Sequence, residues 1–292
     1  MYKITNGVLE AEISGFGAEL KSLKCCGREI LWQSDPFIWA GSAPLLFPVV
    51  GRLKNRSYVY KDEVYKMPVH GFVRRCLFYP ENSLDDSLTL YTESDFETKL
   101  MYPFDFILKV TFSFLSGNEI RIDYKIKNCD QEIMYFSLGS HPGFNLSLKN
   151  CSIADYYIEL QKRETLYLYK ITNETLALSP HPFLQNSNII KLSYNTFKDD
   201  IIILKDIKSR IVTLGNLKMD RKISVDMGHA DTLGIWGKPG VNFVCICPLY
   251  GYDDPSDVSG KLQEKPGIIS LLPDSEFNAF YTIKTINFSK NC

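Results

Sequence analysis

The feature that most constrains this chain is a two-residue alternation of apolar and polar side chains, repeated along much of its length. In "IRIDYKIKN" (120–128), Ile120, Ile122, Tyr124 and Ile126 fall on one face and Arg121, Asp123, Lys125 and Lys127 on the other. Successive side chains of an extended chain point to opposite faces, so this period predicts a half-buried strand. "LKVTFSF" (108–114) alternates in the same way, and the intervening "LSGNE" carries Gly-Asn turn chemistry. The two segments are therefore expected to pair as an antiparallel hairpin.

Similar runs recur at "VLEAEI", "SLTLYT", "DDIIIL", "SRIVTL", "RKISVDM", "TLGIWG", "FVCICPLY" and "AFYTIKTINF", separated by turn-rich pieces such as "GNLKMD" and "LPDSE". No long segment has clean 3.6-residue apolar spacing. The pattern predicts an all-β, antiparallel protein with few short helices, in which packed sheets bury the apolar faces. No Pro-, Ser- or Gly-rich linker divides the chain and no repeat period stands out, so residues 1–292 are expected to form a single domain.

With 292 residues, 45% of them hydrophobic, the chain is long enough to bury a substantial core. Its 33 basic and 34 acidic residues leave a formal charge of -1, without a basic aromatic stripe, which argues against nucleic acid as a partner. No apolar stretch approaches the ~20 residues of a spanning helix, so no membrane role is expected. The N-terminus "MYKITNGVLEAEISG" has no apolar signal-peptide core, and a cytoplasmic location is the expectation. Eight cysteines in such a compartment are expected to be free thiols, most of them small core hydrophobes. The adjacent pair Cys25 and Cys26 and the alternate pair Cys245 and Cys247 lack zinc-ligand spacing, so neither a metal nor a cofactor is expected. The sequence leaves the oligomeric state open.

Three punctuated segments interrupt the strand pattern: "PLLFPVVGRLKN" (44–55), "MPVHGFVRR" (67–75) and "SLGSHPGFN" (137–145). Each sets a charged or imidazole group beside Gly or Pro, which permit close backbone approach and fixed turns. Arg52, His70, Arg74 and His141 are thus candidates for one cleft. Taken singly, each reads first as a loop whose polar residue is solvated.

In order along the chain, these three segments, "TLGIWGKPG" with "FVCICPLYGYDD", and "GIISLLPDSEFNAFYTI" resemble successive blocks of the aldose 1-epimerase (galactose mutarotase) family. The similarity runs from "GAELKSL" at 17–23 to the C-terminal strand and is closest to a bacterial branch of hexose-phosphate-like members. The resemblance implies a β-supersandwich fold and interconversion of the α and β anomers of a sugar or sugar phosphate. In that reaction a base takes the anomeric hydroxyl proton while an acid protonates the ring oxygen. By motif match His141 is the general acid, a role suited to imidazole because its unperturbed pKa is ~6.5. His70 matches a histidine near the ring oxygen, and Arg52 an arginine that binds hydroxyls or phosphate. Arg74 falls where phosphosugar members place a further arginine, so Arg52 and Arg74 form a candidate phosphate clamp, with Arg75 beside it expected to be solvated. Asp200 matches an aspartate that accepts bonds from sugar hydroxyls, unless the register slips to Asp199. Of the aromatics Trp32, Trp39, Trp236 and Phe72, the last two lie inside motifs and are candidates to stack on a sugar face.

The chain departs from the family pattern at one position. The residue before the proline in "FVCICPLYGYDD" is glutamate in the family, the catalytic base, and here it is Cys247. A thiol with a reference pKa of ~8.5 is mostly protonated at neutral pH and reaches less far than a carboxylate. Three readings stay open: Cys247 is a thiolate base in an electropositive site; a carboxylate from Asp253, Asp254, Asp257 or Glu264 replaces it; or the fold serves as a non-catalytic carbohydrate-binding protein. An accessory domain of a polysaccharide-cleaving enzyme fits less well, since such domains sit in longer chains.

Overall fold

A computed structural model describes residues 1–147 and 151–288. The predicted hairpin forms between Phe106–Ser116 and Glu119–Asn128, with Leu108 opposite Ile126, Val110 opposite Tyr124 and Phe112 opposite Ile122. Its alternation does what the sequence requires: Ile120, Ile122, Tyr124 and Ile126 are buried, while Lys125 between them is exposed.

This hairpin belongs to a 15-stranded antiparallel sheet. Its path starts at Leu45–Leu46 and passes through Leu138–Ser140, Phe243–Tyr250, Thr232–Trp236 and Ile202–Leu204 to Tyr156–Tyr169. It continues through Ile211–Asn216, Lys222–Asp226, Glu276–Ile286, Glu119–Asn128, Phe106–Ser116 and Ser87–Glu93 to Tyr79–Ser83. A four-stranded sheet, Tyr2–Thr5, Leu9–Ile13, Leu20–Cys25 and Arg28–Glu29, stands apart from it in pairing. The single α-helix among the described residues is the four-residue Phe96–Lys99, started by Asp95, whose carboxylate accepts from the Thr98 amide. No helix of the described residues is long and apolar enough to cross a membrane.

The main core gathers the inward side chains of both sheets, among them Leu9, Leu23, Phe106, Ile122, Ile158 and Ile283. Each such side chain contributes roughly 1.5–3 kcal/mol when fully buried. A smaller cluster, Leu46, Val50, Phe243, Cys245, Cys247 and Leu249, packs against Trp32, Trp39 and Trp236 at the end of the sheet that starts with Leu45–Leu46. Six cysteines are free thiols, of which Cys25, Cys245 and Cys247 are buried. Cys26 departs from the expectation of free thiols, being disulfide-bonded, and Cys292 lies outside the described residues.

Candidate active site

Five neighbouring strands at that end of the main sheet each carry or adjoin a residue of one cavity of about 270 Å³. Its lining includes Trp39, Leu46, Arg52, His70, Arg74, His141, Asp200, Trp236, Lys238 and Asp253. The three punctuated segments thus converge here, with Asp200, Trp236, Lys238 and Asp253 from later segments, through sheet order rather than chain proximity.

Two glycines let the first two loops cross. Gly71 has φ +72, and a Cβ there would lie 2.1 Å from the Phe47 carbonyl oxygen. Its absence lets segment 67–75 run against Phe47, with the Val73 amide donating to the Phe47 carbonyl. Gly51, at φ +73, would bring a Cβ to 2.3 Å from Asp253 Oδ2, so only glycine leaves room for that carboxylate. The same turn fixes His70: the Gly51 amide donates to His70 Nδ1 at 3.0 Å, and the His70 amide returns a bond to the Gly51 carbonyl at 2.9 Å. With Nδ1 accepting, the proton of neutral His70 sits on Nε2. Burial, reinforced by the His141, Arg74 and Arg52 charges, holds His70 well below the ordinary imidazole range, so it is a neutral donor.

His141 follows strand Leu138–Ser140 and is held by its amide, which donates to the Pro44 carbonyl. Its ring lies 5.9 Å from that of His70, 5.3 Å from Trp39 and 5.4 Å from Trp236. It is 93% buried by its 7% exposure, and its Nδ1 has no hydrogen-bond partner among the described residues. Burial alone would depress this imidazole, but the Cys247 thiol beside it outweighs burial and raises it above its ordinary value.

Arg52 is gripped from two sides. Its Nη2 donates to Asp200 Oδ2 at 2.8 Å, and its Nη1 and backbone amide both donate to Asp253 Oδ1, at 3.2 and 2.9 Å. Burial lowers its pKa, yet the two carboxylates more than compensate and keep it charged. Asp200 sits at φ +77 and faces the cavity, whereas Asp199 points outward to an ion pair with Lys170 at 3.0 Å. Arg74, half-buried, donates to the Val69 carbonyl at 3.0 Å, and Lys238 donates to the Ile38 carbonyl. Neither cation has an ion-pair partner among the described residues. Arg75 is exposed.

Three sequence-stated roles fit the geometry poorly. Phe72 is buried against Tyr102 and Phe106 and does not line the cavity, so it is a core side chain rather than a stacking surface. Cys247 is fully buried in the apolar floor beside His141 and does not line the cavity either. Arg52 lines the same cavity as Arg74 but is paired with two carboxylates, which leaves Arg74 the less neutralised of the two guanidiniums. Of the loop carboxylates, Asp253 faces the cavity; Asp254 pairs with buried Lys265 at 2.8 Å, while Asp257 and Glu264 are exposed. Lys238 was not singled out by sequence. It lies in the "TLGIWGKPG" block, two residues past Trp236, and a lone lysine before Pro-Gly carries no pattern of its own.

The geometry offers one imidazole held neutral by burial and one raised above its ordinary value, an aromatic wall, carboxylates and cations without ion-pair partners around a small volume. The aldose 1-epimerase family profile matches residues 1–238 of this chain. Protein LacX of Lactococcus lactis subsp. lactis, in its plasmid and chromosomal forms, is 31% identical over 98% of this chain and 99% of its own length. A galactose mutarotase related enzyme from Lactobacillus acidophilus superposes with a TM-score of 0.93 at 33% identity, covering 99% of this chain and 98% of that one. A galactose mutarotase-like protein from Lactobacillus casei gives 0.92 at 25% identity over 98% and 100% of the two chains. A galactose 1-epimerase from Lactobacillus acidophilus gives 0.70 at 12% identity over 97% and 92%, a likeness of fold alone. The fold is that of galactose mutarotase-like proteins, and the chain belongs to the aldose 1-epimerase family. Interconversion of sugar anomers is the general chemistry that this family and fold support.

Proposed function

We propose that this cavity binds the ring form of an aldose and interconverts its anomers by acid–base ring opening, with His141 delivering a proton to the ring oxygen. The observation that carries this reading is the placement of His141, with an unpartnered Nδ1, in one cavity with His70, Arg52 and Asp200. His70 Nε2–H is a donor suited to a sugar oxygen, and Asp200 an acceptor for hydroxyls. Trp39 and Trp236 offer apolar faces. A volume of about 270 Å³ lies at the small end of ligand sites, as a monosaccharide requires.

Arg74 and Lys238 line the same cavity without carboxylate partners, which supports an aldose bearing an anionic group such as phosphate. A cation held out of bulk water gains most from a charge-assisted bond to its ligand. The test is the decay of optical rotation from pure anomers of free and phosphorylated hexoses. Wild-type protein should outpace buffer, and Arg74→Ala should raise KM for the phosphorylated sugar by about tenfold or more while barely altering a free one. Equal effects on both sugars would remove the phosphate. The burial of Cys247 where the family has glutamate favours a second reading, a carbohydrate-binding protein without turnover. Binding with no acceleration on any sugar would establish it.

A further inference from the structure

A mutarotase with no glutamate in its cavity still needs a proton acceptor facing its acid. Resting on the reading above, we infer that Asp253 is that acceptor, a catalytic base supplied by the loop after strand Phe243–Tyr250 rather than by the strand itself. Elimination leads to it first. Cys247 is fully buried and outside the cavity lining. Asp254 is buried with its oxygens taken by Lys265 Nζ and the Lys54 amide. Asp257 and Glu264 are exposed and absent from the lining. The carboxylates that line the cavity are Asp200 and Asp253.

These two differ in how they are held. Asp200 has a side chain 35% exposed and bonds Arg52 through Oδ2. The Asp253 side chain is 6% exposed, and its Oδ1 takes both Arg52 donors while its Oδ2 accepts no hydrogen bond among the described residues. One oxygen is thus anchored and the other is left for a proton. The anchoring is built into the backbone, since Oδ2 rests against Gly51, where any Cβ would overlap it. Burial raises this carboxyl above its ordinary value against the opposing pull of Arg52 and Lys265, which makes it a stronger base than an exposed aspartate.

The step balances within the residues present. Asp253 Oδ2 gains the anomeric hydroxyl proton and the freed electron pair forms the C1 carbonyl. The bond from C1 to the ring oxygen breaks with its pair on that oxygen, which takes a proton from His141. Rotation about C1–C2 presents the other face of the aldehyde, and reversal of both transfers restores the two side chains.

The experiment compares Asp253→Asn, Asp253→Ala, Asp200→Asn and Glu264→Gln by polarimetry on the sugar that wild type turns over fastest. Asp253→Asn should lose about 10²-fold or more in kcat with KM within a few-fold, whereas Asp200→Asn should act mainly on KM and Glu264→Gln should match wild type. Added formate should restore rate to Asp253→Ala, where the small anion occupies the vacated position, and should do nothing for Asp200→Asn. A purely structural Asp253 would give neither the kcat-specific loss nor the rescue. If wild type is active and folded Asp253→Asn keeps kcat within a few-fold, the assignment of the base fails and the mutarotase reading stands. If Asp253→Ala does not fold, Asp253→Asn decides alone. Wild type without acceleration on any sugar overturns both.

Discussion

His70 and His141 lie 5.9 Å apart, ring to ring, yet they hold protons differently because their neighbours differ. His70 meets burial and cations and stays neutral; His141 meets the same burial but sits beside Cys247. Burial would push the Cys247 thiol up, but a bond from Cys245 and the adjacent His141 bring it down to about 6, so the two share charge as thiolate and imidazolium. His141→Ala should cut mutarotation by roughly 10²- to 10⁴-fold with circular dichroism unchanged, and activity within a few-fold of wild type would exclude it as the acid. Cys247→Ser removes the counter-charge and leaves burial to act on His141. The alkaline limb of kcat/KM should then move to lower pH. The stability signs oppose one another. Cys247, held low, adds stability that is complete above its unfolded value of ~8.5 and is lost as pH falls through about 6. His141, held high, adds stability that is complete below its unfolded value of ~6.5 and is lost as pH rises through its folded value. The slopes largely cancel, so wild-type Tm should vary little near neutrality. In Cys247→Ser the buried neutral imidazole resists protonation, and Tm should fall as pH drops below ~6.5, which a pH series of thermal melts would check.

At the scale of the element, the turns rather than the strands decide whether a site exists. Gly71→Ala forces a side chain into left-handed backbone, at roughly 1–3 kcal/mol, and into the Phe47 carbonyl 2.1 Å away. A lowered urea midpoint together with a lost His70 contact to substrate is the expected outcome; an unchanged midpoint would show that the two loops do not interlock. The strands themselves were largely legible, since 108–114 and 120–128 alternate strictly and pair as that alternation demands. Tyr156–Tyr169 was not, because a buried charge and register shifts interrupt its period: Glu164 is buried to accept from the Lys208 and Ser209 amides at 2.9 and 2.8 Å. A satisfied buried carboxylate looks like a solvent-facing one until its partners are known. The cavity divides similarly. Arg52, His70, Arg74, His141 and Asp200 stand out in motif blocks, whereas Asp253 was one of four undistinguished acids and Lys238 had no signal. Phe72 misled because an aromatic inside a motif looks the same whether it faces a ligand or the core.

At the scale of the molecule, the floor beneath the cavity is also a separate apolar cluster, and its wall is an aromatic chain in which Trp39 stacks on Phe243 at 5.3 Å and Phe243 lies 4.8 Å from Trp32. A ligand on Trp39 therefore presses on packed side chains that tie Leu45–Leu46, Phe243–Tyr250 and Thr232–Trp236 together, and binding should be felt as global stability. A ligand that binds only the folded state at about 100 times its Kd adds ~2.7 kcal/mol, which for a chain of this size shifts Tm by roughly 4 °C. A thermal-shift series of free and phosphorylated aldoses reads this without reference to turnover. Sugars that raise Tm and also lose optical rotation faster than buffer mark an enzyme. A sugar that raises Tm equally in wild type and His141→Ala, with no gain in rate in either, marks a binding protein, because linkage depends on occupancy and catalysis on the proton transfer proposed for His141.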